Sequence, residues 1–168
     1  MENLYLLRHG LAVEPGTPGY ENDAERPLTP EGKRKLRQIA KAITALELSC
    51  DLILSSPYVR ARQTAEIVAE SFPLRKSLEF SDRLIPNGTP QTLIEFLNSR
   101  RPQPNSVLLV GHEPYVSRLI SWLVSGDSNL AVVMKKGGLC KLSVASLNAG
   151  RCAALEWLLT PNQMMLMS

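Results

Sequence analysis

Two histidines are the only imidazoles in this chain of 168 residues, and each stands directly after a short apolar run. The first closes Leu4-Tyr5-Leu6-Leu7-Arg8-His9-Gly10, and the second follows Val107-Leu108-Leu109-Val110 in Gly111-His112. Apolar runs of this length read as buried strands. In an open α/β sheet the strand ends are where ligands sit, because loop amides and helix N-termini converge there. One histidine at a strand end is ordinary; two, each beside a glycine and one preceded by an arginine, point to chemistry. Neutral imidazole is a good nucleophile toward phosphorus and needs no metal. Arg8 adds a planar fork that matches phosphate oxygens in pairs.

Arg60 belongs with them. It falls in the first turn of the helix predicted after Ser55-Ser56-Pro57, where the macrodipole disfavours a cation by ~0.3–1 kcal/mol. A side chain set against its local electrostatics is expected to serve another purpose, and an anion at that helix end is the natural one. Arg8, His9, Arg60 and His112 are therefore the candidate catalytic and phosphate-binding residues. The free amides of Gly10 and of the helix after Ser56 are further donors. These groups could support a covalent route through phosphohistidine, with cations screening the equatorial oxygens. The chain has no metal-type carboxylate cluster and no HExxH, GxSxG or GxxxxGK[ST] segment. No metal and no cofactor are expected.

Strands alternating with helices must position these residues. After strand Leu4–Leu7 comes a loop from Gly10 to Leu28, too long for a plain connector. Thr29-Pro30-Glu31 opens a helix as cap, first-turn proline and first-turn acid, with Leu36, Ile39, Ala40, Ile43 and Leu46 as its apolar stripe. Its basic residues Lys33, Arg34, Lys35, Arg37 and Lys41 read as a solvated face. Strand Asp51–Leu54 leads to a helix capped by Ser56, with Pro57 in its first turn, burying Ala61, Ala65, Val68, Ala69 and Phe72 and stopped by Pro73. A weaker strand is predicted at Ser77–Phe80. Gly88-Thr89-Pro90 starts a helix with Leu93, Phe96 and Leu97 inward, ahead of Pro102 and Pro104. Pro114 opens another, with Val116, Leu119, Ile120 and Leu123 on one face and Gly126 at its close. Lys141–Leu147 and Ala153–Leu159 flank Asn148-Ala149-Gly150 as a hairpin appended to the sheet. The expected architecture is a three-layer α/β/α sandwich with a mostly parallel central sheet, in a single domain spanning residues 1–168.

Hydrophobic residues at 44% and charged residues at 21% are ordinary globular values, and a net charge of +3 demands neither nucleic acid nor a membrane. Cys50, Cys140 and Cys152 form no CxxC or zinc pattern, so a reduced, cytoplasmic protein is expected. The N-terminal apolar run is cut by Arg8, unlike a signal peptide, and no run approaches the roughly 18 residues of a membrane span.

Three segments carry a resemblance. Leu6-Leu7-Arg8-His9-Gly10 resembles the RHG signature of the histidine phosphatase superfamily, the phosphoglycerate mutase-like fold. Ser56-Pro57-Tyr58-Val59-Arg60-Ala61-Arg62-Gln63-Thr64-Ala65 resembles that family's SP-x-x-RA-x-QTA segment, and Val110-Gly111-His112 its second-histidine motif. The motifs stand in family order and span nearly the whole chain. The resemblance implies His9 as the phosphorylated nucleophile and Arg8, Arg60 and His112 as the phosphate pocket.

Within the superfamily, the short length and Arg26-Pro27-Leu28-Thr29-Pro30-Glu31-Gly32 resemble the SixA-type phosphohistidine phosphatases. Mutase relatives carry an acidic proton donor roughly where this chain has Leu84-Ile85-Pro86-Asn87-Gly88, which holds no acid. An alkoxide leaving group needs a proton as it departs. Imidazole, whose conjugate acid has a pKa of about 6.5, is far less demanding. Asp23, Glu25 and Glu113 stay open as acids supplied from elsewhere. The expected activity is metal-independent hydrolysis of protein phosphohistidine, on a partner such as a histidine phosphotransfer domain or a phosphotransferase carrier in signal transduction. The alternatives are a phosphomonoesterase for a small phosphorylated metabolite or sugar, and a non-catalytic phosphoprotein-binding module.

Overall fold

The computed structural model describes residues 1–72 and 77–167. In chain order its elements are β1 (Asn3–Arg8), α1 (Pro30–Ala45), β2 (Leu52–Ser55), α2 (Val59–Ala69), β3 (Ser77–Phe80), α3 (Pro90–Ser99), β4 (Ser106–Gly111), α4 (Tyr115–Ser125), β5 (Leu139–Val144), β6 (Ala153–Leu159) and α5 (Pro161–Met165). The sheet runs β3-β2-β4-β1-β5-β6, its first four strands mutually parallel, β5 antiparallel to β1 and β6 antiparallel to β5.

Alternation along the strands divides the core between two faces. Leu4, Leu6, Leu52, Leu54, Val107 and Leu109 pack with α3 and α4. Tyr5, Leu7, Ile53, Leu108 and Val110 pack with α1, α2 and α5. The expected α/β/α sandwich with a mostly parallel sheet is the observed fold. Strands β1 and β4 lie side by side, with Arg8 level with Gly111. That register brings the two residues that follow, His9 and His112, to the same point on the sheet's carboxyl edge.

Capping chemistry is clearest at the start of α1. The Thr29 hydroxyl accepts from the Gly32 amide at 3.0 Å, with Pro30 in the first turn. Thr89 and Pro114 occupy the cap positions of α3 and α4 without a side-chain cap bond, and α4 closes on Gly126 in the left-handed region at φ 92°. In α1 the buried stripe is Gly32, Leu36, Ile39, Ala42 and Ile43, so Ala42 stands where Ala40 and Leu46 were expected. No helix among the described residues is long and apolar enough to cross a membrane.

Three expectations need correction. Val59 starts α2 with Tyr58 as its cap, so Ser56 is not the helix cap and Pro57 lies before the first turn; the Ser56 hydroxyl has another partner, described below. The hairpin is no appendage, because β5 pairs along β1 and completes the main sheet. Its strand begins at Leu139 and ends at Val144, so residues 145–152 form the connection rather than a tight Asn148–Gly150 turn. Pro73, expected to stop α2, lies outside the described residues.

Candidate active site

Loops at the carboxyl edge hold His9 through its backbone. Its amide donates to Gly111 O at 3.0 Å, and the amide of Gly137 (φ 81°) reaches the carbonyls of both Arg8 and His9 at 3.0 Å. The ring is set by a neighbour: Nδ1 lies 2.7 Å from the Gly10 carbonyl oxygen. A carbonyl can only accept, so Nδ1 carries the proton and Nε2 keeps its lone pair. Gly10 is itself pinned, its amide donating to Thr64 Oγ1 at 3.1 Å. A Cβ there would meet Leu36 Cδ1 at 2.6 Å, so any larger residue would force the buried Leu36 side chain of α1 to shift.

Arg60 enters from the first turn of α2 and is 3% exposed. Its Nε donates to His9 Nε2 at 3.2 Å, its Nη1 to the Asp23 carbonyl at 2.6 Å and its Nη2 to Asp23 Oδ2 at 2.9 Å. The Thr64 hydroxyl ties the same helix turn to Gly10, donating to Arg60 O at 2.7 Å. His112 lies beside His9, ring centroids 5.1 Å apart. Its Nε2 is 2.8 Å from Ser56 Oγ, and its Nδ1 is buried without a hydrogen-bond partner among the described residues. The Tyr58 ring packs against it at 5.1 Å. Arg8 turns Nη1 to the Met134 carbonyl at 2.8 Å, and its buried Nε likewise has no partner among the described residues.

The electrostatics favour an anion. Burial pushes His9 well below its ordinary 6.5; the Gly10 hydrogen bond works the other way, while His112, Arg60 and Arg8 add to the depression. Burial, followed by the Arg60 charge, lowers His112 to about 3. Both rings are neutral at physiological pH, among guanidiniums that stay charged.

The three candidate acids differ in their surroundings. Asp23 sits on a 3-10 turn at Asp23–Glu25 within the long loop. Its Oδ1 accepts from Arg26 Nε and Nη2 at 2.8 and 2.6 Å, while Oδ2 accepts from Arg60. Partial burial works to raise its carboxyl, but the bonds and charges of Arg26 and Arg60 outweigh it and hold the group below the usual range. So held, the carboxylate is an ion-pair partner of both arginines. Glu25 is exposed, and Glu113 accepts from the Ser117 amide at 3.0 Å. Composition and spacing did not expose Asp23 as a brace, nor Arg26, Ser56 and Thr64 as supports. Ser56 and Thr64 at least stand inside the motif that carries Arg60. No three His, Cys, Asp or Glu side chains gather in metal-ligand fashion among the described residues.

Uncharged imidazoles beside fixed cations, at the carboxyl edge of a covered parallel sheet, describe an α/β enzyme built to handle an anion. Relatives make that class specific. The profile of the histidine phosphatase superfamily (branch 1) matches residues 4–85. An uncharacterized protein of Picosynechococcus is 33% identical over 140 residues, 83% of each chain. Phosphohistidine phosphatase SixA of Escherichia coli is 29% identical over 126 residues, 74% of this chain and 76% of SixA. A structure of the protein histidine phosphatase SixA complexed with tungstate superposes with a TM-score of 0.81 at 25% identity, covering 95% of this chain and 97% of that one. The chain belongs to the histidine phosphatase superfamily and is a phosphatase.

Proposed function

We propose that this chain hydrolyses phosphohistidine on a partner protein, with His9 as the transient phosphoryl acceptor. The observation that carries the reading is the hydrogen-bonding of His9: Nδ1 is committed to Gly10 O, which leaves Nε2 as a lone pair beside the Arg60 guanidinium. Nε2 attacks phosphorus, and the N–P bond to His9 forms as the substrate's P–N bond breaks. The departing imidazole takes the bonding pair and, protonated on its other nitrogen, leaves neutral. Arg60, Arg8 and His112 surround the three equatorial oxygens in this reading.

The same Gly10 contact serves the second half. With Nδ1 still protonated, phosphorylated His9 is a cationic ring and therefore a good leaving group. Water then forms the new O–P bond, the N–P bond breaks, Nε2 regains its lone pair, and water's two protons leave with the phosphate as H2PO4−, which shares one of them with bulk solvent. Two observations favour a P–N substrate over an ester. Asp23, the carboxylate bonded to Arg60, is braced by Arg26 as well, and SixA, a phosphohistidine phosphatase by name, is a relative over about three quarters of both chains.

The test is a substrate panel with a trapping arm. Wild-type protein is expected to turn over a phosphohistidine-bearing histidine phosphotransfer domain or phosphotransferase carrier faster than phosphomonoesters, and to yield acid-labile phosphoenzyme on rapid quenching. His9→Ala is expected to lose both. Faster turnover of phosphomonoesters overturns the substrate assignment, and a fully active His9→Ala overturns the nucleophile.

A further inference from the structure

Ser56 is fully buried, at 0% exposure. Its hydroxyl accepts from the Tyr58 amide at 3.3 Å and lies 2.8 Å from His112 Nε2. A buried hydroxyl hydrogen needs an acceptor, and an amide N–H cannot be one. Among the described residues the acceptor left within reach is His112 Nε2. The Ser56 hydroxyl is then satisfied in one way: Ser56 O–H donates, Nε2 accepts, and the ring's single proton resides on Nδ1, which has no acceptor among the described residues. The opposite tautomer leaves the Ser56 hydrogen unsatisfied in the interior. It would also turn the Nδ1 lone pair toward any anion bound between the imidazoles.

We infer that Ser56 is a positioning residue that fixes His112 in the Nδ1–H tautomer, so that a neutral ring offers a hydrogen-bond donor to the phosphoryl group. The inference rests on the proposed phosphoryl chemistry only for the identity of the anion; the tautomer is a property of the resting protein. Two nitrogens without a partner among the described residues, His112 Nδ1 and Arg8 Nε, are both buried on strand-end residues one register step apart. Paired donors without acceptors suit an oxyanion. A neutral donor has a further consequence. Because burial and the Arg60 charge hold His112 at about 3, the ring donates through Nδ1 at any ordinary pH without having to acquire a second proton. The groups facing it are the uncharged His9 and Tyr58 rings and the Ser56 hydroxyl, with Arg60, Arg8, Arg26 and Asp23 acting at longer range.

The experiment is direct because the chain holds just two histidines. Two-bond proton–nitrogen correlation spectra of protein labelled with ¹⁵N-histidine, assigned with His9→Ala, report each ring's tautomer at neutral pH. Wild-type His112 is expected to show protonated Nδ1 and unprotonated Nε2. In Ser56→Ala the ring is expected to shift toward the Nε2–H form, and the dissociation constant for orthophosphate to rise roughly 10- to 100-fold, the range carried by one hydrogen bond to a charged group. Ser56→Thr, which keeps the hydroxyl, is expected to retain the wild-type tautomer and most of the affinity. A wild-type spectrum with Nε2 protonated overturns the inference even if no variant folds. So does a Ser56→Ala protein that keeps the Nδ1–H form and full phosphate affinity. Neither readout involves turnover, so a failure here is separable from a failure of the phosphohistidine assignment.

Discussion

Thr64→Val is the sharpest probe of how the nucleophile is held. Valine nearly matches threonine in shape, so at this fully buried position the change is chiefly the loss of the hydroxyl, which is what keeps the swap from being neutral. That hydroxyl bridges two elements, accepting from the Gly10 amide at 3.1 Å and donating to the Arg60 carbonyl at 2.7 Å. The Arg60 carbonyl stays within the helix, but the Gly10 amide is left buried and unpaired, which costs about 1–3 kcal/mol. At ~2–4 °C per kcal/mol for a chain of this size, the unfolding midpoint is expected to fall by roughly 2–12 °C. The Gly10 carbonyl orients His9, so freeing the glycine also loosens the nucleophile. A drop in kcat/KM of roughly 10- to 100-fold follows for a misplaced reacting group. Calorimetry and turnover of a phosphohistidine substrate measure the two effects, and Thr64→Ser, which restores the hydroxyl, is expected to recover most of the activity. A Thr64→Val protein with wild-type midpoint and wild-type kcat/KM would refute the bridging role.

Further outcomes follow from the same geometry. Arg60→Lys keeps a charge but loses the fork that reaches His9 and Asp23 together; rapid-quench phosphoenzyme yield and kcat/KM are expected to fall roughly 100-fold or more. Both imidazoles titrate below their unfolded value near 6.5, so the unfolded chain takes up their protons first as pH falls. Stability is expected to be fully present above about pH 6.5 and to decline below it, by up to roughly 1.4 kcal/mol per pH unit per ring, until about pH 3 for His112. Urea midpoints measured from pH 7 to pH 4 check this; a flat profile would mean that neither ring is held neutral.

Much of this architecture was legible because its causes are local. The runs ending at His9 and His112 are apolar without alternation because β1 and β4 are covered on both faces, and that pattern survives in one dimension. Thr29-Pro30 and Gly126 mark helix ends by chemistry confined to a few residues. The supports around the site were not legible, because they join residues far apart in the chain. Asp23 and Arg60 are 37 positions apart, and only folding reveals that the carboxylate considered as an acid braces two arginines. Ser56 was misread because serine before Pro57 is an ordinary cap signal; its hydroxyl turns to His112, 56 residues on. The hairpin's role depended on which edge it joins, a question of topology that its own residues do not answer. Helix α5 had a readable signal, a Thr160/Gln163 capping box, but its five residues are too short for periodicity to register.

The two central ladders bear on durability. The strands carrying the imidazoles are each other's neighbours, and each is hydrogen-bonded on its other side as well, β4 to β2 and β1 to β5. Fraying at the rims, at β3 or around α5, leaves their alignment untouched. Amides in β1 and β4 should accordingly exchange with solvent only through global opening, so that loss of catalysis on heating coincides with cooperative melting instead of preceding it.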